Sequence, residues 1–214
     1  MYQLCGSHVS SKRKNTALAG VSSDQSAVVS CLLFEHALCV ASCGGRVVYL
    51  RPEPWRTLPP LFQSHQQLSP AQLRRIEFQY SGELGMLQKV RDLCSGLHGT
   101  KKADCIIVEA LHLEPLNPVF DSNEAQITYI LALLTDVAAY LAANRASEQF
   151  SFCPVVLSLE PRYDSIFRPF TDIVFGLDQA KEANLISVRS KTHSQLRRDI
   201  DVSSLCGPFK WVRP

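Results

Sequence analysis

The residues with the clearest capacity for chemistry lie in Lys101-Lys102-Ala103-Asp104-Cys105-Ile106-Ile107-Val108-Glu109-Ala110-Leu111, a short apolar run that ends on a carboxylate. An unbroken apolar run is what a strand requires when helices cover both faces of its sheet. The run therefore predicts a central parallel strand with Glu109 at its carboxyl end. Ligands of open α/β sheets bind beyond those ends, and in nucleotide-hydrolysing folds an acid there holds magnesium or its water. Glu109 is read as an acid of this Walker-B type; the plainer reading is an acid that terminates a strand. Pro154-Val155-Val156-Leu157-Ser158-Leu159-Glu160 repeats the pattern with a second carboxylate.

Metal chemistry has weaker support. Eight cysteines stand at 5, 31, 39, 43, 94, 105, 153 and 206, mostly within apolar runs and without a Cys-x-x-Cys pair, so reduced core thiols are expected. His36, Cys39 and Cys43 share a helical face by spacing, but no second ligand pair follows at zinc-site distances, and no metal is expected.

The elements that must position these residues can be read in order. Thr16–Val21 is a candidate strand, Ser22-Ser23-Asp24-Gln25 a polar turn, and Ser26 to Ala41 an apolar helix, together the opening half of a βαβ unit. Cys43-Gly44-Gly45 ends the helix, Arg46–Leu50 reads as a strand, and Pro52, Pro54, Pro59 and Pro60 impose an irregular connection. Ser69-Pro70 marks a helix start. Ile76–Tyr80 alternates apolar and polar residues, as a strand near a sheet edge does. Helices are expected over Glu83–Leu97 and from Ser122 to about Asn144, the second with Ile127, Ile130, Leu131, Leu134, Val137, Ala138 and Leu141 on one stripe. Thr171–Leu177, Leu185–Arg189 and Phe209–Val212 are close together without long helices between them, which predicts an antiparallel extension.

The 214 residues, 46% hydrophobic and 20% charged with a net charge of +2, describe an ordinary globular chain. They form one domain over 16–214 behind a flexible tail of residues 1–15. No continuous run reaches the ~18 apolar residues of a membrane span, and the start of the chain lacks a secretory apolar core. A cytosolic or nuclear home is expected. Lys12-Arg13-Lys14 is either a nuclear-import patch or a solvated tail.

This order of elements resembles the RecA-like recombinase family, and implies an α/β, three-layer ATPase core with a mostly parallel sheet and a short antiparallel C-terminal extension. Leu73-Arg74-Arg75-Ile76-Glu77-Phe78-Gln79-Tyr80 and Glu124-Ala125-Gln126-Ile127-Thr128-Tyr129-Ile130-Leu131-Ala132-Leu133-Leu134-Thr135-Asp136-Val137-Ala138-Ala139 more narrowly resemble the recombinase paralogs of the Shu complex. That resemblance implies homologous-recombination repair in the nucleus. It also implies a SWIM-type zinc-finger protein and a RecA-like recombinase as partners, single-stranded DNA as ligand, and ATP with magnesium as cofactors. Aligned on family order, Glu53 falls at the water-activating position, Glu109 at the Walker-B acid and Glu160 at a nucleotide-sensing position.

The chain's own turn opposes the cofactor. A P-loop, G-x-x-x-x-G-K-[ST], cradles phosphates on backbone amides, neutralises them with lysine and ligates magnesium with a hydroxyl. Gly20 matches its first glycine, but Gln25 replaces the second, Ser26 the lysine and Ala27 the hydroxyl, while Asp24 adds a negative charge. Losing one partner of a desolvated charge pair costs about 2–5 kcal/mol, enough to turn a micromolar nucleotide site millimolar. No cofactor is expected unless a partner subunit completes the site.

In the resembled family DNA meets loops after the long helix and the next strand, here Glu160-Pro161-Arg162-Tyr163-Asp164-Ser165-Ile166-Phe167-Arg168-Pro169-Phe170. Arginine for phosphates interleaved with rings for bases suits a single strand. The alternative is that the phenylalanines tuck beneath the sheet. Arg189, Lys191, His193, Arg197 and Arg198 form a second basic run, a phosphate track or a solvated face. Trp55, Phe62, Phe152 and Trp211 either cap the core or meet a partner; Trp211, with Phe209, is the favoured partner contact because it lies on a terminal strand. Three functions stay open: a non-catalytic or weakly catalytic recombinase paralog, a DNA-stimulated ATPase whose phosphate site a partner completes, and a protein-only scaffold.

Overall fold

A computed structural model of the chain describes residues 18–22, 26–59, 69–82, 85–97, 103–111, 116–144, 154–171, 173–179, 185–190, 197–201 and 211–212. In chain order these give β1 (Leu18–Ser22), α1 (Ser26–Ser42), β2 (Val47–Arg51), α2 (Pro70–Leu73), β3 (Ile76–Tyr80), α3 (Gly85–Leu97), β4 (Cys105–Val108), α4 (Asn123–Ala143) and β5 (Val155–Leu159). The chain continues with α5 (Asp164–Phe167), β6 (Ile173–Gln179), β7 (Leu185–Ser190), β8 (Arg197–Asp201) and β9 (Trp211–Val212). Phe62, Phe152, Lys12-Arg13-Lys14, Lys191, His193 and Phe209 lie outside the described residues.

The strands form one sheet in the order β3-β2-β4-β5-β1-β6-β7-β8-β9. Neighbours from β3 through β6 run parallel, and those from β6 through β9 antiparallel. The alternation of strand side chains divides the core into two apolar layers. Ala19, Val21, Val47, Tyr49, Cys105, Ile107 and Val156 pack against α1, while Leu18, Val48, Leu50, Ile106, Val108, Val155 and Leu157 pack against α3 and α4. β4 and β5 are buried along their lengths, which is why both read as unbroken apolar runs.

Local chemistry sets the element ends. α1 closes in a Schellman turn: Gly44 N–H reaches Ala41 O at 3.0 Å and Gly45 N–H reaches Val40 O at 3.0 Å, with Gly44 at a φ of 88° that favours glycine. Ser69 caps α2 through a capping box with Gln72, and the Ser122 hydroxyl accepts from Ala125 N–H at the start of α4. By length and hydropathy α4 could cross a bilayer, but its stripe from Gln126 to Leu141 is buried in the fold.

The chain departs from the sequence reading in three places. β6 pairs parallel with β1, because residues 161–170 coil into 3-10 turns (Pro161–Tyr163 and Arg168–Phe170) flanking α5 and carry the chain over the sheet. The antiparallel extension therefore starts only at β7. Arg197–Asp201, a charged stretch with one apolar residue, forms β8 through its ladder with β7. Lastly, β1 continues through Ser22, one residue past the expected end at Val21.

Candidate functional site: the carboxyl end of β4

β4 runs between β2 and β5, and Glu109 N–H extends its ladder by donating to Leu50 O at 2.8 Å. Counting alternation from Cys105 and Ile107, the Glu109 side chain belongs to the α1 face, as do Tyr49 and Arg51 from β2. The carboxylate is buried and enclosed. The Tyr49 hydroxyl donates to Oε2 at 2.7 Å, the Ser30 hydroxyl from α1 donates to Oε1, and Arg51 Nη2 stands 3.6 Å from Oε1. Burial, then the charge and hydrogen bond of Glu109, hold the Tyr49 phenol well above its ordinary range, so it remains a donor. Burial, followed by the charges of Glu35 and Glu109, pushes the Cys31 thiol on α1 up to about 11.

Arg51 is held from its other side by Trp55, whose ring centroid lies 4.3 Å from the guanidinium carbon. Trp55 packs edge-on against Phe34, Tyr49 and Phe78, with centroids 5.3, 5.1 and 5.6 Å away. It therefore joins the α1-side core. Behind Glu109 the backbone is strained: Ala110 has a φ of 54°, and its N–H donates to the buried Ser158 hydroxyl of β5 at 2.8 Å.

The first residue of the degenerate motif is packed into the core. Gly20 shares the face of Leu18, where the fully buried ring of Phe167 lies against it. A β-carbon at Gly20 would fall 1.7 Å from Phe167 Cε1 and Cζ. This glycine allows the close approach of the Phe167 ring. Residues 23–25 alone separate β1 from α1; Ser26 opens that helix and Ala27 is exposed on its first turn. Glu53 is exposed in the irregular segment after β2, and the group that reaches Glu109 from β2 is Arg51. These residues do not fit ATP with magnesium: the acid has both oxygens engaged, and the lysine and hydroxyl are absent.

In the expected DNA segment the rings and the cations separate. Tyr163 and Phe167 are buried in the core under α4 and Phe170 is half-buried, leaving neither buried ring a face for a base. Arg162 and Arg168 are exposed, with Arg162 Nε 2.7 Å from Glu160 Oε2 and its guanidinium 4.8 Å from the Tyr163 ring centroid. Glu160 thus ends its strand in an ion pair. The register sets Arg189 of β7 opposite Arg197 of β8 and Val188 opposite Arg198, and Trp211 lies on the terminal strand β9 beside Ile200. His36 is buried with Nε2 3.9 Å from Cys105 Sγ, and burial holds its imidazole down to about 4. Cys39 and Cys43 are half-buried, and among the described residues no three metal-ligating side chains gather.

The sequence reading missed Ser30, Tyr49 and Arg51. Arg51 carried a signal of its own, a charge ending the apolar run Val47–Leu50 as Glu109 ends its run. Nothing local marked Ser30 or Tyr49.

A parallel sheet ordered β3-β2-β4-β5-β1-β6 with helices on both faces and an antiparallel tail defines a RecA-like α/β fold. The RadB recombinase matches with a TM-score of 0.62 at 14% identity, over 92% of this chain and 90% of that one. The flagellar accessory protein FlaH of Methanocaldococcus jannaschii matches with 0.64 at 11% identity, over 92% and 89%. A KaiC-like protein of Pyrococcus horikoshii matches with 0.55 at 11%, over 93% and 90%. At these identities the likeness is one of fold. No protein-family model and no curated protein sequence matches the chain.

Proposed function

We infer that this protein is a RecA-like recombinase paralog of homologous-recombination repair that has given up nucleotide hydrolysis and works by binding. The observation that carries the loss of hydrolysis is the enclosure of Glu109 by Tyr49, Ser30 and Arg51 at the position of the magnesium-holding acid. Freeing it for a hydrated cation would break two hydrogen bonds to a charged group, at about 1.5–3 kcal/mol each, and strand the Arg51 charge. The assignment to repair rests on the RecA-like fold and on the two stretches that resemble Shu-complex paralogs. Those stretches also support a nuclear location and a SWIM-type zinc-finger protein, a RecA-like recombinase and single-stranded DNA as partners. Turnover of labelled ATP by the purified protein with its SWIM-type partner, with and without single-stranded DNA, tests this reading. No turnover is expected, and DNA-stimulated hydrolysis abolished by Glu109→Gln would overturn it.

A protein-only scaffold is the second reading, favoured by the burial of Tyr163 and Phe167. Single-stranded DNA binding that weakens as salt rises excludes it.

A further inference from the structure

At the carboxyl end of β2 three enclosed donors lack an acceptor among the described residues: Arg51 Nε, Arg51 Nη1 and Trp55 Nε1. Glu109 cannot supply one. Its oxygens already serve Tyr49, Ser30 and Arg51 Nη2. Buried N–H groups are nearly always paired, and a charged donor forms its strongest hydrogen bonds to an oxyanion. Trp55 stacks on the guanidinium and belongs to the irregular segment 52–59, whose next residue, Arg56, is exposed and adds a second cation.

We propose that Arg51 and Trp55 form a binding site for a phosphate group. The order β2-β4-β5-β1 puts β1 three strand spacings, about 14 Å, from β2, while α1 reaches Glu109 beside Arg51 through Ser30. Phosphate accepts from an unused Arg51 N–H and from the indole N–H, with Arg56 the next residue along the chain, and the ring lying over the guanidinium moves when the group enters. This does not rest on the reading of the protein as a repair factor.

The experiment titrates the whole chain with inorganic phosphate, chloride holding the ionic strength constant, while tryptophan fluorescence and thermal midpoint are followed. A saturable fluorescence change at millimolar phosphate and a rise of a few degrees in the midpoint are expected. Trp55→Phe abolishes the optical signal, and Arg51→Lys, which keeps the charge beside Glu109 but loses the Nε and Nη1 donors, weakens binding about tenfold. Arg51→Gln abolishes binding where circular dichroism finds it folded. ADP without magnesium distinguishes the sources of the group: ADP binding as weakly as phosphate assigns the site to free phosphate, and ADP binding tenfold tighter assigns it to a nucleotide. Absence of a phosphate response, as when water alone fills the site, or an undiminished response in Arg51→Lys, overturns the proposal.

Discussion

Glu109 is engaged by three neighbours of its own chain, which make it a tie between α1, β2 and β4. Glu109→Gln keeps the shape but leaves Arg51 uncompensated, so a loss of about 2–4 kcal/mol in urea unfolding is expected. Gly20 makes a second residue-scale test. Gly20→Ala drives a methyl into the Phe167 ring and costs about 3 kcal/mol. The smaller Phe167→Leu side chain restores part of that loss in the double variant, a non-additivity that a phosphate-cradling glycine would not produce. Replacing Ala110, with its φ of 54°, by glycine relieves strain and raises stability by about 1 kcal/mol.

Among the elements, the coiled connection of residues 161–170 sets exposed arginines on a base of buried rings. If it tracks single-stranded DNA, it does so through phosphates. The Arg162→Ala, Arg168→Ala double variant is then expected to bind more weakly, with a log–log salt slope shallower by about 0.7 for each phosphate no longer neutralised. Unchanged affinity and slope would remove the segment from the DNA path. Phe167→Ala is expected to cost about 3–5 kcal/mol in folding, since that ring fills the core. At one edge of the sheet, β9 lies beside β8. An edge strand offers unpaired amides, and a large ring can anchor a partner. Trp211→Ala is expected to weaken capture of the proposed SWIM-type partner by about thirtyfold in a folded protein; normal capture would place the interface elsewhere.

The stability of the whole molecule carries the mark of one buried base. His36 titrates near 6.5 in the unfolded chain and at about 4 in the fold. The unfolded chain therefore binds the extra proton between those values. The His36 contribution is complete above pH 6.5 and is lost as pH falls toward 4, by up to about 3 kcal/mol. Urea midpoints from pH 7.5 to 4.5 should fall accordingly, and His36→Leu should flatten that part of the profile.

What the sequence determined by itself lies where a pattern is local and repeated. The apolar runs of β4 and β5, the 3.6-residue stripe of α4, the Gly44 closure of α1 and the Ser69 and Ser122 caps are each written within a few residues. Together they place Glu109 at the carboxyl end of a central strand in a RecA-like order. Tertiary structure alone decided what became of that carboxylate, because its partners come from positions 30, 49 and 51, brought together by parallel pairing of β2 with β4 and by α1 crossing above. It likewise decided Gly20 and Phe167, which are far apart in the chain and meet only because residues 161–170 coil over β1. Interleaved arginines and rings read alike in a stacking loop and in a packed connection. Burial separates the two, and burial belongs to the assembled sheet.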